Sequence, residues 1–158
     1  MVRSRRRGSP LLRGGTVSSG VRWIGQPDGK QTPYSAATVH NGVVCACGQV
    51  PVQADGSVAD DMAAQVRQCF DNLERVLAAA DSGLGHLLQV TVYLADLAEF
   101  DAYNEAYLAC LSGQPLPPRT TVQVAAFRGP KRIEVTATAA VASQQHEVST
   151  RGSDHDGA

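Results

Sequence analysis

Two ionisable residues of this 158-residue chain are placed to do chemistry on a small acid. Arg119 stands in Pro117-Pro118-Arg119-Thr120-Thr121-Val122, where two prolines end one segment and a β-rich run begins. Proline fixes its own φ and biases the preceding residue towards extended geometry, so this arginine enters a strand on a stiff support. Its planar guanidinium suits bidentate capture of a carboxylate. Further on, Ile133-Glu134-Val135 sets a lone acid inside a second strand-like run. An arginine that orients a small acid and a carboxylate that handles water together point to hydrolysis.

The elements that must position this pair alternate between strand and helix periodicity. Val21–Gly25 is a weak first strand, followed by a Gln-Pro-Asp-Gly turn signal. Ala36–His40, Asn41-Gly42 and Val43–Val50 predict a hairpin. Asp60 is the expected cap of a helix with Met62, Val66, Cys69, Leu73, Val76 and Ala80 on its apolar stripe, ended by Gly83 and Gly85. His86–Leu94 returns to strand with Leu88, Val90, Val92 and Leu94 on one face. Asp96 and Glu99 form a capping pattern for a second helix through Leu111, with Phe100, Tyr103, Tyr107 and Cys110 inward. Thr120–Ala126 and Arg132–Val141 supply the last two strands. The order β-β-β-α-β-α-β-β predicts an α+β fold: a six-stranded mixed sheet with two helices on one face.

Two helices cover one side of such a sheet. Arg119, Thr121 and Gln123, with Glu134, Thr136 and Thr138, are expected on the other, a semi-polar face suited to packing against copies of the same chain. The short link from Phe127 to Lys131 predicts that the last two strands run antiparallel. Arg119 opens the first and Glu134 lies near the start of the second, which separates them by about 15 Å in one chain. If both act on one ligand, they come from different subunits.

Composition bounds the rest. Met1–Gly15 carries five arginines and no acid, and 143–158 is polar without period. Residues 1–20 are expected to be a disordered Arg-rich extension, 21–142 a single domain, and 143–158 a disordered tail. The net charge of -1 conceals that asymmetry. A basic arm can touch nucleic acid, but nucleic acid is not the expected partner. No apolar run follows the arginines as in a secretory signal, and none is long enough to span a bilayer. The four cysteines lack C-x-x-C spacing or a His-rich cluster, so no metal site is expected. Cys45, Cys69 and Cys110 are expected to be buried, inert thiols, and the protein soluble and cytoplasmic.

Six motifs in order carry a family resemblance: Thr32-Pro33-Tyr34-Ser35, Cys47-Gly48-Gln49-Val50-Pro51, Val90-Thr91-Val92-Tyr93-Leu94 followed by Asp96, Asn104-Glu105-Ala106-Tyr107, Pro118-Arg119-Thr120, and Ile133-Glu134-Val135. Between Thr32 and Val141 the chain resembles the Rid (YjgF-type) family of enamine and imine deaminases. The resemblance implies a fold like chorismate mutase of the trimeric type, a homotrimer with sites between subunits, and no cofactor. It implies substrates such as 2-aminoacrylate, 2-iminopropanoate and related 2-imino acids, converted to 2-oxo acids and ammonia. In that reading Arg119, Glu134 and Tyr34 are catalytic: Arg119 holds the carboxylate, and Glu134 orients water and shuttles protons. Arg119, Cys47, Gly48, Asn104 and Thr121 bind substrate, while Tyr93 and Tyr107 belong to the core.

Four departures bear on substrate range, one of them Thr121, which stands where some members carry cysteine. Thr32 stands for the family's glycine, Ala36 for its frequent glutamine and Cys47 for its usual serine. A pathway-specific imine or enamine is therefore the alternative substrate. Other readings are a non-catalytic trimer that binds small carboxylates and an interaction protein that works through the arginine-rich arm.

Overall fold

The computed structural model describes residues 20–142. The two expected tails lie outside the described residues, apart from Gly20. Six strands form one sheet: β1 (Arg22–Ile24), β2 (Ala37–His40), β3 (Val43–Gln49), β4 (Leu87–Leu94), β5 (Arg119–Gln123) and β6 (Ile133–Ala140). Their spatial order is β1-β2-β3-β6-β4-β5. Every neighbouring pair is antiparallel except β4 with β5. Helices α1 (Met62–Ala79) and α2 (Phe100–Cys110) contribute to one buried apolar cluster together with a face of the sheet. The predicted α+β architecture is the observed one.

Local chemistry explains most boundaries. Asn41 and Gly42 both take positive φ, 49° and 76°, as a two-residue turn between right-twisted strands requires. Helix α1 starts one residue later than its expected cap: Asp61, not Asp60, accepts from Ala64 N at 2.7 Å. Such a cap is worth about 1 kcal/mol. The helix ends at Ala80 and the left-handed Asp81 (φ 58°), ahead of Gly83. Arg22 of β1 holds that Asp81 carboxylate at 2.7 Å. Met62, Val66, Cys69, Leu73, Val76 and Ala80 are all buried, as the stripe predicts.

Leu88 departs from expectation. A register shift between Leu87 and Gln89 against β6 inserts an extra residue there, so Leu88 is thrown outward while Val90, Val92 and Leu94 stay in the core. Asp96 caps a short 3-10 turn, Leu97–Glu99, which leads into α2. Cys69 is buried, but Cys45 is exposed and Cys110 half-buried. Cys45 pairs with Thr138 on the face away from the helices, which this single chain leaves bare.

Candidate active site

Directly paired strand residues share a face of the sheet, so register assigns sides. Arg119 pairs with Val90 and Thr121 with Val92, both buried beneath the helices. Arg119, Thr121 and Gln123 therefore lie on the helix face, contrary to expectation. Glu134 pairs with Tyr93 and stands on the open face with Thr136 and Thr138. Tyr93, expected in the core, is half-buried on that open face. Strands β5 and β6 run in opposite senses, but β4 lies between them. Three residues along β4 and two strand spacings separate Arg119 from Glu134, about 14 Å between Cα atoms. The two residues thus occupy different ends and different faces.

Around Arg119 the chain builds a socket from one helix. Phe100, Tyr103, Asn104 and Tyr107 recur at the i, i+3, i+4, i+7 spacing that lines one face of α2. Arg119 Nη1 donates to Asn104 Oδ1 at 2.9 Å. Its guanidinium carbon lies 4.4 Å from the Tyr107 ring centre, 5.3 Å from Tyr103 and 5.8 Å from Phe100. These are cation–π distances, and a desolvated contact of this kind is worth up to about 2 kcal/mol. Tyr103 Oη and Thr121 Oγ1 share a hydrogen bond of 3.1 Å, which ties the helix to the strand two residues past the arginine. Burial raises both phenols above their ordinary 10.0 while the arginine pulls them down, so they stay neutral near pH 7. Tyr107 Oη is buried without a partner among the described residues.

Glu134 has a different setting. Strand β3 spends three steps, from Ala46 to Gln49, against two steps of β6, from Ala137 to Val135. This bulge places Gly48 against the Glu134 side chain: a Cβ on Gly48 would sit 1.7 Å from Glu134 Oε1. A methyl at position 48 would therefore force the Glu134 side chain to move. The buried Gln49 donates from Nε2 to Cys47 O at 3.1 Å and lies 3.3 Å from Cys47 Sγ, pinning the bulge from inside. The Cys47 thiol is raised above its ordinary 9.0, first by burial and then by the neighbouring Glu134, with Gln49 opposing. It is a neutral thiol near pH 7, unsuited to attack as a thiolate. Tyr34 stands exposed beside this group and lines one cavity with Cys47 and Gly48.

The predicted residues therefore fall into two half-sites. Arg119, Asn104 and Thr121 form one, and Glu134, Gly48, Cys47 and Tyr34 the other. Reading the sequence missed the aromatic socket, although Phe100, Tyr103 and Tyr107 were already placed inward on one helical stripe. It also missed Gln49, whose role becomes visible only once the bulge is known.

Comparison with known proteins agrees with this fold. The profile of the family described as Endoribonuclease L-PSP matches residues 27–141. The 2-iminobutanoate/2-iminopropanoate deaminase of Salmonella typhimurium is 33% identical over 110 residues, covering 68% of this chain and 86% of the relative. Protein mmf1, mitochondrial, of Schizosaccharomyces pombe is 38% identical over 92 residues, 58% of this chain but only 56% of that relative. The crystal structure of the E. coli YjgF gene product superposes with a TM-score of 0.71 at 30% identity, covering 75% of this chain and 98% of the other. The chain belongs to the Rid (YjgF-type) family. Among the described residues no helix is long and apolar enough to cross a membrane.

Proposed function

We propose that this protein is a hydrolytic deaminase of reactive 2-imino acids and their enamine tautomers, 2-aminoacrylate and 2-iminopropanoate among them. It works as a homotrimer with each site built between two subunits. One observation carries the reading: the Cα atoms of Arg119 and Glu134 in one chain lie about 14 Å apart, with the two side chains on opposite faces of the sheet. A second copy, laid with its bare sheet face near the β5 edge of the first, brings the two half-sites onto one small ligand. The relative named 2-iminobutanoate/2-iminopropanoate deaminase supports the choice of reaction.

In the proposed reaction Arg119 grips the substrate carboxylate, held in line by Asn104 and the aromatic socket. Glu134 of the facing subunit accepts a proton from water as its oxygen bonds to C2 of the imine. The imine nitrogen takes that proton as the C=N π bond opens, giving a carbinolamine. The hydroxyl proton then passes through Glu134 to the nitrogen as the C2–N bond breaks and C2=O forms, so ammonia leaves a 2-oxo acid behind. Tyr34 and the backbone at Cys47-Gly48 border the same ligand. Such imines react with water unaided, so positioning and proton relay through one carboxylate suffice for useful acceleration. The proposed compartment is the cytoplasm, and the four free cysteines fit reducing surroundings.

The test couples a pyridoxal-phosphate dehydratase acting on serine or threonine to this protein and follows imine decay. Acceleration by wild type, lost in Arg119→Ala, is expected. No acceleration, or equal acceleration by Arg119→Ala, overturns the reading and leaves a carboxylate-binding protein without turnover. A fully active monomer in sedimentation overturns the inter-subunit site.

A further inference from the structure

A cavity of about 430 Å³ opens beside Tyr34, Cys47 and Gly48 and reaches α1 at Asn72, Arg75 and Val76. A three-carbon imino acid leaves most of that volume empty, since even one water takes only about 30 Å³. Val50, Val52 and Val76 make apolar wall, and Arg75 lies at the helix side. Beside that apolar wall the lining carries Gln26, Gln53 and Asn72 with the cations Lys30 and Arg75, a mix that fits a short side chain ending in an anion.

Arg75 is held in place while keeping donors free. Its Nε donates to Asp71 O at 3.3 Å, and its Nη2 donates to Asn72 Oδ1. Asn72 is in turn fixed by donating to Val50 O at 2.8 Å and Val52 O at 3.1 Å, both on the cavity wall. Nη1 has no partner among the described residues. Among the neighbouring carboxylates, Glu74 accepts from Leu84 N at 2.8 Å, Asp28 pairs with Lys30 at 2.9 Å, and Asp71 meets Arg75 only through its backbone carbonyl. That leaves Arg75 as the unpaired cation on the cavity, with a planar fork suited to a carboxylate.

We propose that this cavity is a side-chain subsite and that Arg75 selects 2-imino acids whose side chain ends in a carboxylate. The inference rests on the deaminase reading for its reaction, but its binding can be measured without turnover. The probes are two 2-oxo acids, pyruvate and 2-oxoglutarate, titrated calorimetrically into the full chain. Wild type is expected to bind 2-oxoglutarate about tenfold more tightly than pyruvate, Arg75→Glu to abolish that preference, and Arg75→Lys to retain part of it. Equal binding of the two acids, or a preference untouched by Arg75→Glu, overturns the proposal. Turnover is read in parallel on imines made from alanine and glutamate by amino-acid oxidases. Loss of both turnovers with Arg75-dependent binding intact defeats the deaminase reading and upholds the subsite. Turnover of the alanine imine without preference for the glutamate imine defeats the subsite alone.

Discussion

The two half-sites are built by opposite means. The arginine half is a socket inside one chain: a helix face of three aromatic rings and an amide closes around a guanidinium on the edge strand. The acid half is a gap, made where a bulge brings a glycine against a carboxylate and leaves Tyr34 exposed. The first half is preorganised to hold a charge in one direction, which is what binding a small carboxylate needs. The second leaves open space beside the carboxylate proposed to handle protons. Rigidity sits where recognition is proposed, and space where chemistry is proposed.

Mixing the halves tests this contrast most severely. Arg119→Ala and Glu134→Gln are each expected to lower imine hydrolysis by about 10²- to 10³-fold, the scale seen when one preorganised electrostatic group is removed. Refolded together in equal amounts, they are expected to regain about a quarter of wild-type activity, because random closed assembly joins an intact Arg119 to an intact Glu134 at that frequency. No recovery means that both residues serve from one chain. Gly48→Ala attacks the acid half alone. The added methyl displaces Glu134, and kcat is expected to fall by about 10²-fold while binding of a 2-oxo acid product persists.

Changes in the socket are gentler. Tyr107→Leu removes the closest ring and is expected to raise KM by about three- to tenfold with little change in kcat. Tyr107→Phe keeps the ring and deletes a hydroxyl that has no partner among the described residues, so KM and thermal stability are expected to hold or improve slightly. Loss of activity in the phenylalanine variant would give that hydroxyl a role of its own.

The smallest effect is a pH dependence of folding. Cys47 and Cys69, with ordinary values of 9.0, and Tyr103 and Tyr107, with ordinary values of 10.0, are all raised in the fold, chiefly by burial. The unfolded chain therefore releases these protons first, and above about pH 9 it binds fewer than the native state. Stability is expected to fall as pH rises through 9 and 10. These groups contribute no slope below pH 8. Urea unfolding from pH 7 to 10.5 reads the trend, and a flat profile would show that they titrate freely in the fold.

Much of this was legible along the chain, because local rules act on neighbouring residues. Asn41-Gly42 demanded a tight hairpin, and the α1 stripe demanded burial on one side. Where expectation slipped by a residue, as from Asp60 to Asp61, two adjacent acids offered the same cap chemistry and packing chose between them. Leu88 was misread because alternation assumes an unbroken pleat, whereas a bulge spends one residue without a partner. Arg119 was assigned to the wrong face for a related reason. Its side depends on register with β4, a strand some thirty residues earlier in sequence.

By itself, then, the sequence determined the kinds of element, the hairpin, the helical stripe and the identity of the reactive groups. These follow from side-chain period, turn chemistry and the ionisable residues themselves. Only the tertiary structure decided that β4 separates β5 from β6, that Arg119 and Glu134 look out from opposite faces, and that a helix supplies the arginine with a socket. Pairing between distant strands is set by the total burial of the sheet, which no local stretch encodes.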